Sequence, residues 1–272
     1  MTQDLPEGLM ERVRAAIAAA AAEEVKPRFG RLSAHDIRHK GPNDVVTVAD
    51  LAMEHRLTRD LLDLLPGSLV VGEEACAEDP SVKDRLGSGE LVWLVDPIDG
   101  THNFVRSRPL IAVIVALVRR GETVAGWIHD PLTGTSVTAE KGAGCWQDGR
   151  RLAVAAAEPV TAMVGLLATG FLPEPTRAAV NAKRETFLRP TKGWFCGGQE
   201  YMALCQGSLH FALYGGLQPW DHAAGVLLHA EAGGYSALLG GSRYAPTTDE
   251  KGLLLAPDQA SWQALHAHLF GA

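Results

Sequence analysis

Cysteine is scarce in this chain, with four in 272 residues. Cys76, Cys145, Cys196 and Cys205 lie far apart and follow no thiolate metal spacing. In a chain of this length they read as reduced thiols of a cytoplasmic protein, not as a disulfide framework. A membrane-spanning run is also lacking. Ala15 to Ala22 is apolar, but Glu11, Arg12, Arg14, Glu23 and Glu24 bracket it closely. It is too short and too alanine-rich for a bilayer span, and the N-terminus has no signal-peptide pattern. Positive charge is not in excess. Lys and Arg total 25 against 32 Asp and Glu, a net charge of −7. That balance excludes the electrostatic footprint of a nucleic-acid or anionic-membrane binder. Neither a Ser-His-Asp nor a Cys-His nucleophile pattern is legible. A chain of this charge that handles an anionic substrate needs local neutralisation, which bound cations supply.

What is present is a 46% hydrophobic chain, long enough to bury a sizeable core in one large or two smaller domains. Its focus is Trp93-Leu94-Val95-Asp96-Pro97-Ile98-Asp99-Gly100-Thr101-His102-Asn103-Phe104. The apolar run Leu91 to Val95 predicts a buried strand, and Pro97 is expected to end its ladder. Two carboxylates three apart at a strand's carboxyl end, Asp96 and Asp99, can converge on one hard cation. The Ile98 carbonyl between them is a third oxygen, and oxygen-only ligation suits Mg²⁺. After Gly100 the chain is expected to turn into a helix whose free N–H groups face phosphate. Asp-Pro and Asp-Gly are also ordinary turn dipeptides, so this segment alone leaves both readings open.

Three further segments accompany it: Asn43-Asp44-Val45-Val46-Thr47-Val48-Ala49-Asp50, Val71-Gly72-Glu73-Glu74, and Trp220-Asp221-His222-Ala223-Ala224-Gly225 running on to Glu231-Ala232-Gly233-Gly234. In order and spacing the set resembles the inositol monophosphatase family of Mg²⁺-dependent, lithium-sensitive phosphatases. The resemblance implies a layered αβαβα sandwich of the inositol monophosphatase/fructose-1,6-bisphosphatase type. Residues 1–152 would form an N-terminal α+β half with the metal motifs, and residues 153–272 a C-terminal α/β half that completes the site. It implies two or three Mg²⁺ ions. Glu73, Asp96 and the Ile98 carbonyl would hold one; Asp96, Asp99 and Asp221 would hold a second; a weaker third would lie near Glu73. Asp50 would pair with Thr101 and, with Glu73, orient the attacking water. Gly100 and Thr101 N–H groups would bind a phosphate oxygen. The implied partner is a small phosphorylated metabolite. Homodimers are common in the family, and this sequence neither supports nor excludes one.

Plainer readings stand beside these. Asp50 and Asp221 each sit where a helix N-terminal carboxylate is stabilised anyway. Adjacent glutamates such as Glu73 and Glu74 are usually solvated. Lys40 is either a solvated loop lysine or a contact to phosphate or a metal-bound water. His222 and His229 read as ordinary polar or half-buried histidines, and His102 sits beside Thr101 within reach of phosphate, at a position the family does not use as a ligand.

Along the chain, Pro6 to Val25 predicts a helix, Pro27 to His39 a basic loop-like or extended stretch, and Lys40 to Asn43 a turn. Val45 to Val48 is extended, and Asp50 opens a helix. Ala75 to Gly89 reads as a loop over the site. Ile111 to Val118, Thr123 to Ile128 and Ser136 to Glu140 form an antiparallel meander. Strands are expected over 162–168, 209–214, 235–239 and 252–256, and helices over 175–188, 200–206, 220–232 and 257–270.

The substrate side departs from the family pattern. Inositol-specific members carry a Gly-Ser-Ala turn and, seven residues before the second-signature Asp, a Glu that contacts ring hydroxyls. Here those positions hold Gly197-Gly198-Gln199 and Tyr214. A phenol cannot accept two hydroxyls as a carboxylate does. Gly198, Gln199 and Tyr214 are the candidate substrate contacts. Inositol 1-phosphate is the default substrate, with histidinol phosphate, fructose 1,6-bisphosphate and 3′-phosphoadenosine 5′-phosphate as alternatives. A non-catalytic metal- or ligand-binding regulatory member is the other class, disfavoured because every motif carboxylate and Thr101 are present.

Overall fold

The computed structural model describes residues 5–41, 44–187 and 189–271 and holds two large sheets and a hairpin. The hairpin pairs β1 (Ile37–Gly41) with β2 (Asp44–Thr47). One large sheet runs in chain order through β3 (Leu69–Gly72), β4 (Leu91–Asp99), β5 (Ala112–Arg119), β6 (Glu122–His129), β7 (Ser136–Glu140), β8 (Gly144–Gln147) and β9 (Arg150–Arg151). Only the β3–β4 pair is parallel; the rest is the expected antiparallel meander. The other sheet holds β10 (Val164–Ala168), β11 (Arg189–Thr191), β12 (Phe211–Tyr214), β13 (Tyr235–Leu238) and β14 (Leu253–Ala256), in spatial order β11-β10-β12-β14-β13.

The helices are α1 (Leu9–Ala20), α2 (Val48–Leu64), α3 (Glu73–Glu78), α4 (Thr101–Val105), α5 (Thr176–Ala182), α6 (Gly197–Cys205), α7 (Pro219–Glu231) and α8 (Gln259–Phe270). Side-chain alternation sets how they stack. Along β4, Trp93 and Val95 pack with Val13 and Ile17 of α1 and Met53 and Leu57 of α2. Val92 and Leu94 point the other way, into a core shared with Tyr201 of α6 and Ala224 and Leu228 of α7. That same core takes Ala212 and Tyr214 of β12, whereas Phe211 and Leu213 meet Val180 of α5 and Leu265 of α8. The layers are therefore helix, sheet, helix, sheet, helix, as expected. Residues 219–231 pack on the first sheet as well as the second, so the inner helical layer joins the two.

Several elements differ from expectation. The first helix closes through a π-helical turn, Ala21–Val25. Ala75 to Gly89 is not an open loop: α3 continues into a 3₁₀ segment, Pro80–Gly87, with Leu86 buried and the Arg85 guanidinium donating to the Val70 carbonyl (2.7 Å). The helix expected over 175–188 stops at Ala182, and its expected last residue, Leu188, lies outside the described residues, as do Pro42 and Asn43 of the expected turn. Strand β11 carries no readable pattern because it is three residues long and contains Pro190. His222 and His229 are fully buried, not half-buried. Among the described residues no helix is long and apolar enough to cross a membrane.

Candidate active site

Pro97 does not stop the ladder. Strand β4 continues to Asp99 through a bulge: Asp96 pairs with Ile114 and Asp99 with Ala112, three residues opposite two. In a regular strand, residues three apart point to opposite faces. The extra residue cancels that. Ile98 drops into the core beneath α1 and α2, with Trp93 and Val95. Asp96 and Asp99 are thereby returned to the face that carries α6 and α7. Proline is tolerated because a bulge asks for no donor at that point.

The parallel neighbour brings the next acid. Gly72 pairs with Val95, so Glu73, the first residue of α3, adjoins Asp96. Helix α2 anchors this corner. Thr47, not Asp50, is its N-cap; Asp50 occupies the third helical position and closes a capping box, with the Thr47 N–H donating to Oδ2 (2.9 Å). Its Oδ1 accepts from the Thr101 hydroxyl (3.2 Å), which also lies 3.0 Å from the Ile98 carbonyl. One turn further, buried Glu54 accepts from the N–H groups of Glu74 and Ala75 (both 2.8 Å) and caps α3. Gly72 makes room for it: a Cβ there would lie 2.3 Å from the Glu54 carboxyl carbon.

Lys40 is not a solvated loop lysine. Its ammonium contacts Glu73 Oε1 (3.0 Å) and both Glu74 oxygens (3.0 and 3.1 Å). Burial works against its charge, but the two carboxylates outweigh burial and hold the ammonium above its usual range. Glu74 is pushed up to about 8, by burial first and then by Glu73.

The second half supplies the opposite wall. Asp221 is in the first turn of α7. The N-terminus of α6 meets Asp99, whose Oδ2 accepts from the Gly198 N–H (2.5 Å) and the Cys196 thiol (3.2 Å). Asn103 ties the two halves together: its Nδ2 lies 2.9 Å from the carbonyls of Leu110 and Trp194 and 3.2 Å from that of Phe195. Gly100, at φ +87°, turns the chain between them, and a Cβ there would lie 2.8 Å from the Leu110 carbonyl oxygen. Asp99, Asp221, Tyr214 and His222 line one cavity of about 710 Å³. Gly198 is spent on Asp99, and the Gln199 side chain donates back to the Ile111 carbonyl (2.9 Å). Tyr214 is thus the one of the three candidate substrate contacts whose side chain faces the cavity.

The carboxylates repel one another. Burial, then Glu73, Asp99 and Asp221, drive the Asp96 carboxyl well above its usual range. Burial followed by Asp99 and Glu73 does the same to Asp221. Asp99 rises to about 6 through burial, against the Gly198 N–H and Cys196 thiol that favour its anion. Asp50 also rises to about 6 by burial, opposed by the Thr47 bonds. Asp96 Oδ1 is buried with no hydrogen-bond partner. Among the described residues no three acidic, imidazole or thiol groups are already gathered in ligating geometry. An orphaned carboxylate oxygen within a repelling set of oxygen donors is nevertheless what a hard cation satisfies. The residues fit Mg²⁺ on those grounds.

The capping role of Glu54, the clearance at Gly72 and the bridge made by Asn103 escaped sequence reasoning. Glu54 lies four residues after Asp50, on the same helical face, which was the one available signal.

With this geometry in hand, comparison with known proteins is informative. The model of the inositol monophosphatase family matches residues 9–271. A protein of Aquifex aeolicus named fructose-1,6-bisphosphatase/inositol-1-monophosphatase is 32% identical over 241 residues, covering 83% of this chain and 84% of that protein. The inositol-1-monophosphatase of Rhizobium meliloti is 33% identical over 224 residues, covering 79% and 80% respectively. The crystal structure of the extragenic suppressor protein SuhB from Bartonella henselae shares the fold at a TM-score of 0.81 and 25% identity, covering 96% of this chain and 98% of that one. The chain belongs to the inositol monophosphatase family and, with it, to the phosphomonoester hydrolases.

Proposed function

We propose that this chain is a Mg²⁺-dependent phosphatase acting on a small polyol or sugar phosphate by attack of an activated water, with inositol 1-phosphate as the default substrate. The observation that carries this is the buried, unpartnered Asp96 Oδ1 amid four other acids that raise its proton affinity. Glu73, Asp96 and the Ile98 carbonyl would hold one Mg²⁺, and Asp96, Asp99 and Asp221 a second, with a weaker third near Glu73. Bound there, Mg²⁺ supplies a water of lowered pKa and neutralises charge on the phosphate and the leaving oxygen. The chain's own groups do the positioning. The Thr101 hydroxyl has one proton and two acceptors in reach, Asp50 Oδ1 and the Ile98 carbonyl. Donation to Asp50 leaves its lone pairs free to accept from the attacking water, which Glu73 also orients. The N–H groups of Gly100 and Thr101 would hold a phosphate oxygen. The four cysteines, all free and buried, support a reducing, cytoplasmic setting.

Phosphate release tests the reading, measured with and without Mg²⁺ on inositol 1-phosphate, histidinol phosphate, fructose 1,6-bisphosphate and 3′-phosphoadenosine 5′-phosphate. Release that depends on Mg²⁺ is expected from at least one of them. Binding of Mg²⁺ without turnover of any would favour the regulatory reading.

A pH dependence follows from the raised carboxyls. Folded Asp96, Asp99 and Asp221 hold protons more tightly than the unfolded chain does. Their contribution to stability is full below the ordinary carboxylate value and is lost as pH rises, through about 6 for Asp99. Buried His129, His222 and His229, held down to about 4, act in the opposite sense between there and their ordinary value. Mg²⁺ competes with protons only at the carboxylates. The increase in Tm produced by a fixed Mg²⁺ concentration is therefore expected to grow from pH 5 to pH 8 in differential scanning fluorimetry. A pH-independent increase would contradict this assignment of the ligands.

A further inference from the structure

Two donors from the second half of the chain converge on one oxygen of Asp99. The Gly198 N–H lies 2.5 Å from Oδ2 and the Cys196 thiol 3.2 Å. The sulfur also lies 3.5 Å from the Asp99 carbonyl oxygen. Any residue at 198 other than proline brings the first donor, but only the side chain at 196 brings the second. Of the four cysteines, Cys196 is the one that lines the cavity with Asp99 and Asp221.

The local backbone carries the thiol to that place. Phe195, just ahead of it, adopts φ +57°, a left-handed conformation that a bulky residue resists. It is held from both sides. Asn103 Nδ2 reaches the carbonyls of Trp194 and Phe195, and the Trp194 N–H donates to buried Glu200 (2.5 Å). Cys196 follows in an extended conformation, φ −158° and ψ 97°, at the entry to α6. Gly198 then lets the helix close on Asp99: a Cβ there would lie 2.5 Å from the Ala112 Cβ and 3.3 Å from Asp99 Oδ2.

The chemistry of the contact is directional. A thiolate here would set a second anion against Asp99, so the sulfur keeps its proton and donates. Both α6 donors fall on Oδ2, which leaves Oδ1 as the oxygen to meet a cation. An independent sign of a missing cation lies three residues away, where Asp96 Oδ1 is buried with no hydrogen-bond partner. A carboxylate whose one oxygen is pinned by donors presents the other at a fixed angle, and such outer partners tune the affinity of the ion it binds.

We propose that Cys196 is a positioning residue: its thiol, with the Gly198 N–H, holds Oδ2 of Asp99 so that Oδ1 faces the cation shared with Asp96 and Asp221. The proposal rests on the metal-binding part of the reading above.

Isothermal titration calorimetry with Mg²⁺ tests it on the metal-free forms of wild type, Cys196→Ser, Cys196→Val and Cys196→Ala. Metal-free Tm and phosphate release as a function of Mg²⁺ concentration are measured beside it. Serine keeps a donor, whereas valine fills the space without one. Binding at Asp96, Asp99 and Asp221 is expected to weaken about tenfold in the valine and alanine variants and to stay within about threefold of wild type in the serine variant. The binding step at Glu73, which Cys196 does not touch, is expected to be the same in all four proteins. Half-maximal phosphate release should shift to about tenfold higher Mg²⁺ in the valine and alanine variants, with kcat at saturating Mg²⁺ close to that of wild type. Should valine fail to fold, the alanine and serine pair carries the comparison alone. Equal Mg²⁺ affinity in all four proteins would overturn the proposal. So would a loss in the serine variant as large as in the others, which would make the thiol a packing group. The expected pattern of Mg²⁺ affinities, with no phosphate released by wild type from any ester, would leave the positioning role standing and sink the phosphatase reading instead. Wild type that binds no Mg²⁺ would overturn both.

Discussion

Gly72→Ala is expected to cost the enzyme at least about 100-fold in kcat/KM, the scale of a misplacement of about 1 Å at a reacting centre. The added methyl would sit 2.3 Å from the Glu54 carboxyl carbon and 2.5 Å from both its oxygens. That carboxylate has no easy retreat, because each oxygen accepts from an α3 backbone N–H at 2.8 Å. Either Glu54 swings away and leaves two buried N–H groups unpaired, or β3 and α3 shift and carry Glu73 with them. Hydrogen bonds to a charged group contribute about 1.5–3 kcal/mol each, so a destabilisation of about 3–5 kcal/mol is expected. In a chain of this size that lowers Tm by roughly 10 °C. The diagnostic is a double-mutant cycle. Glu54→Ala alone should also destabilise, but in the Gly72→Ala background it removes the clash, so the double mutant should be far less destabilised than the sum. Strict additivity, or a neutral Gly72→Ala, would mean that Glu54 does not seat α3.

Asp96→Asn is expected to divide stability from activity. Folded Asp96 carries a charge disfavoured by burial and by Glu73, Asp99 and Asp221, with one oxygen unpartnered. A neutral amide relieves the repulsion and offers two donors to the surrounding carboxylate oxygens. Metal-free Tm at pH 8 should therefore rise. The same change removes an oxygen shared by both proposed Mg²⁺ sites, so the Mg²⁺-induced gain in Tm should vanish and phosphate release should fall by at least about 1,000-fold, on the scale of a lost electrostatic group in a catalytic site. Scanning fluorimetry with and without Mg²⁺, beside a phosphate assay, measures all three. A variant that keeps both its Mg²⁺ response and its turnover would remove Asp96 from the ligand set.

Much of this was legible because motif and element coincide. Leu91 to Val95 predicts a buried strand, the meander after it follows from turn dipeptides, and the four acidic segments carry the resemblance to a family whose fold has five layers. Pro97 misled: a proline argues for the end of a ladder, but a bulge absorbs it, and the bulge is what turns Asp96 and Asp99 to one face. The sequence alone places Asp50 at the opening of α2, whereas Thr47 caps the helix and Asp50 closes the box from within. The grip of Lys40 on Glu73 and Glu74 and the bridge from Asn103 to the Phe195 carbonyl span 33, 34 and 92 residues of chain. Contacts of that separation leave no local pattern. The clearance at Gly72 is likewise a property of what packs against it, and a glycine in a strand says only that something approaches.

Anomalous scattering from crystals grown with Mn²⁺ in place of Mg²⁺ tests most directly whether these carboxylates are a metal site. Peaks are expected within bonding distance of Glu73, Asp96 and the Ile98 carbonyl, and again between Asp96, Asp99 and Asp221, with Lys40 drawn off Glu73. Crystals saturated with Mn²⁺ that show it bound elsewhere, with Asp96 Oδ1 still unliganded, would contradict that assignment.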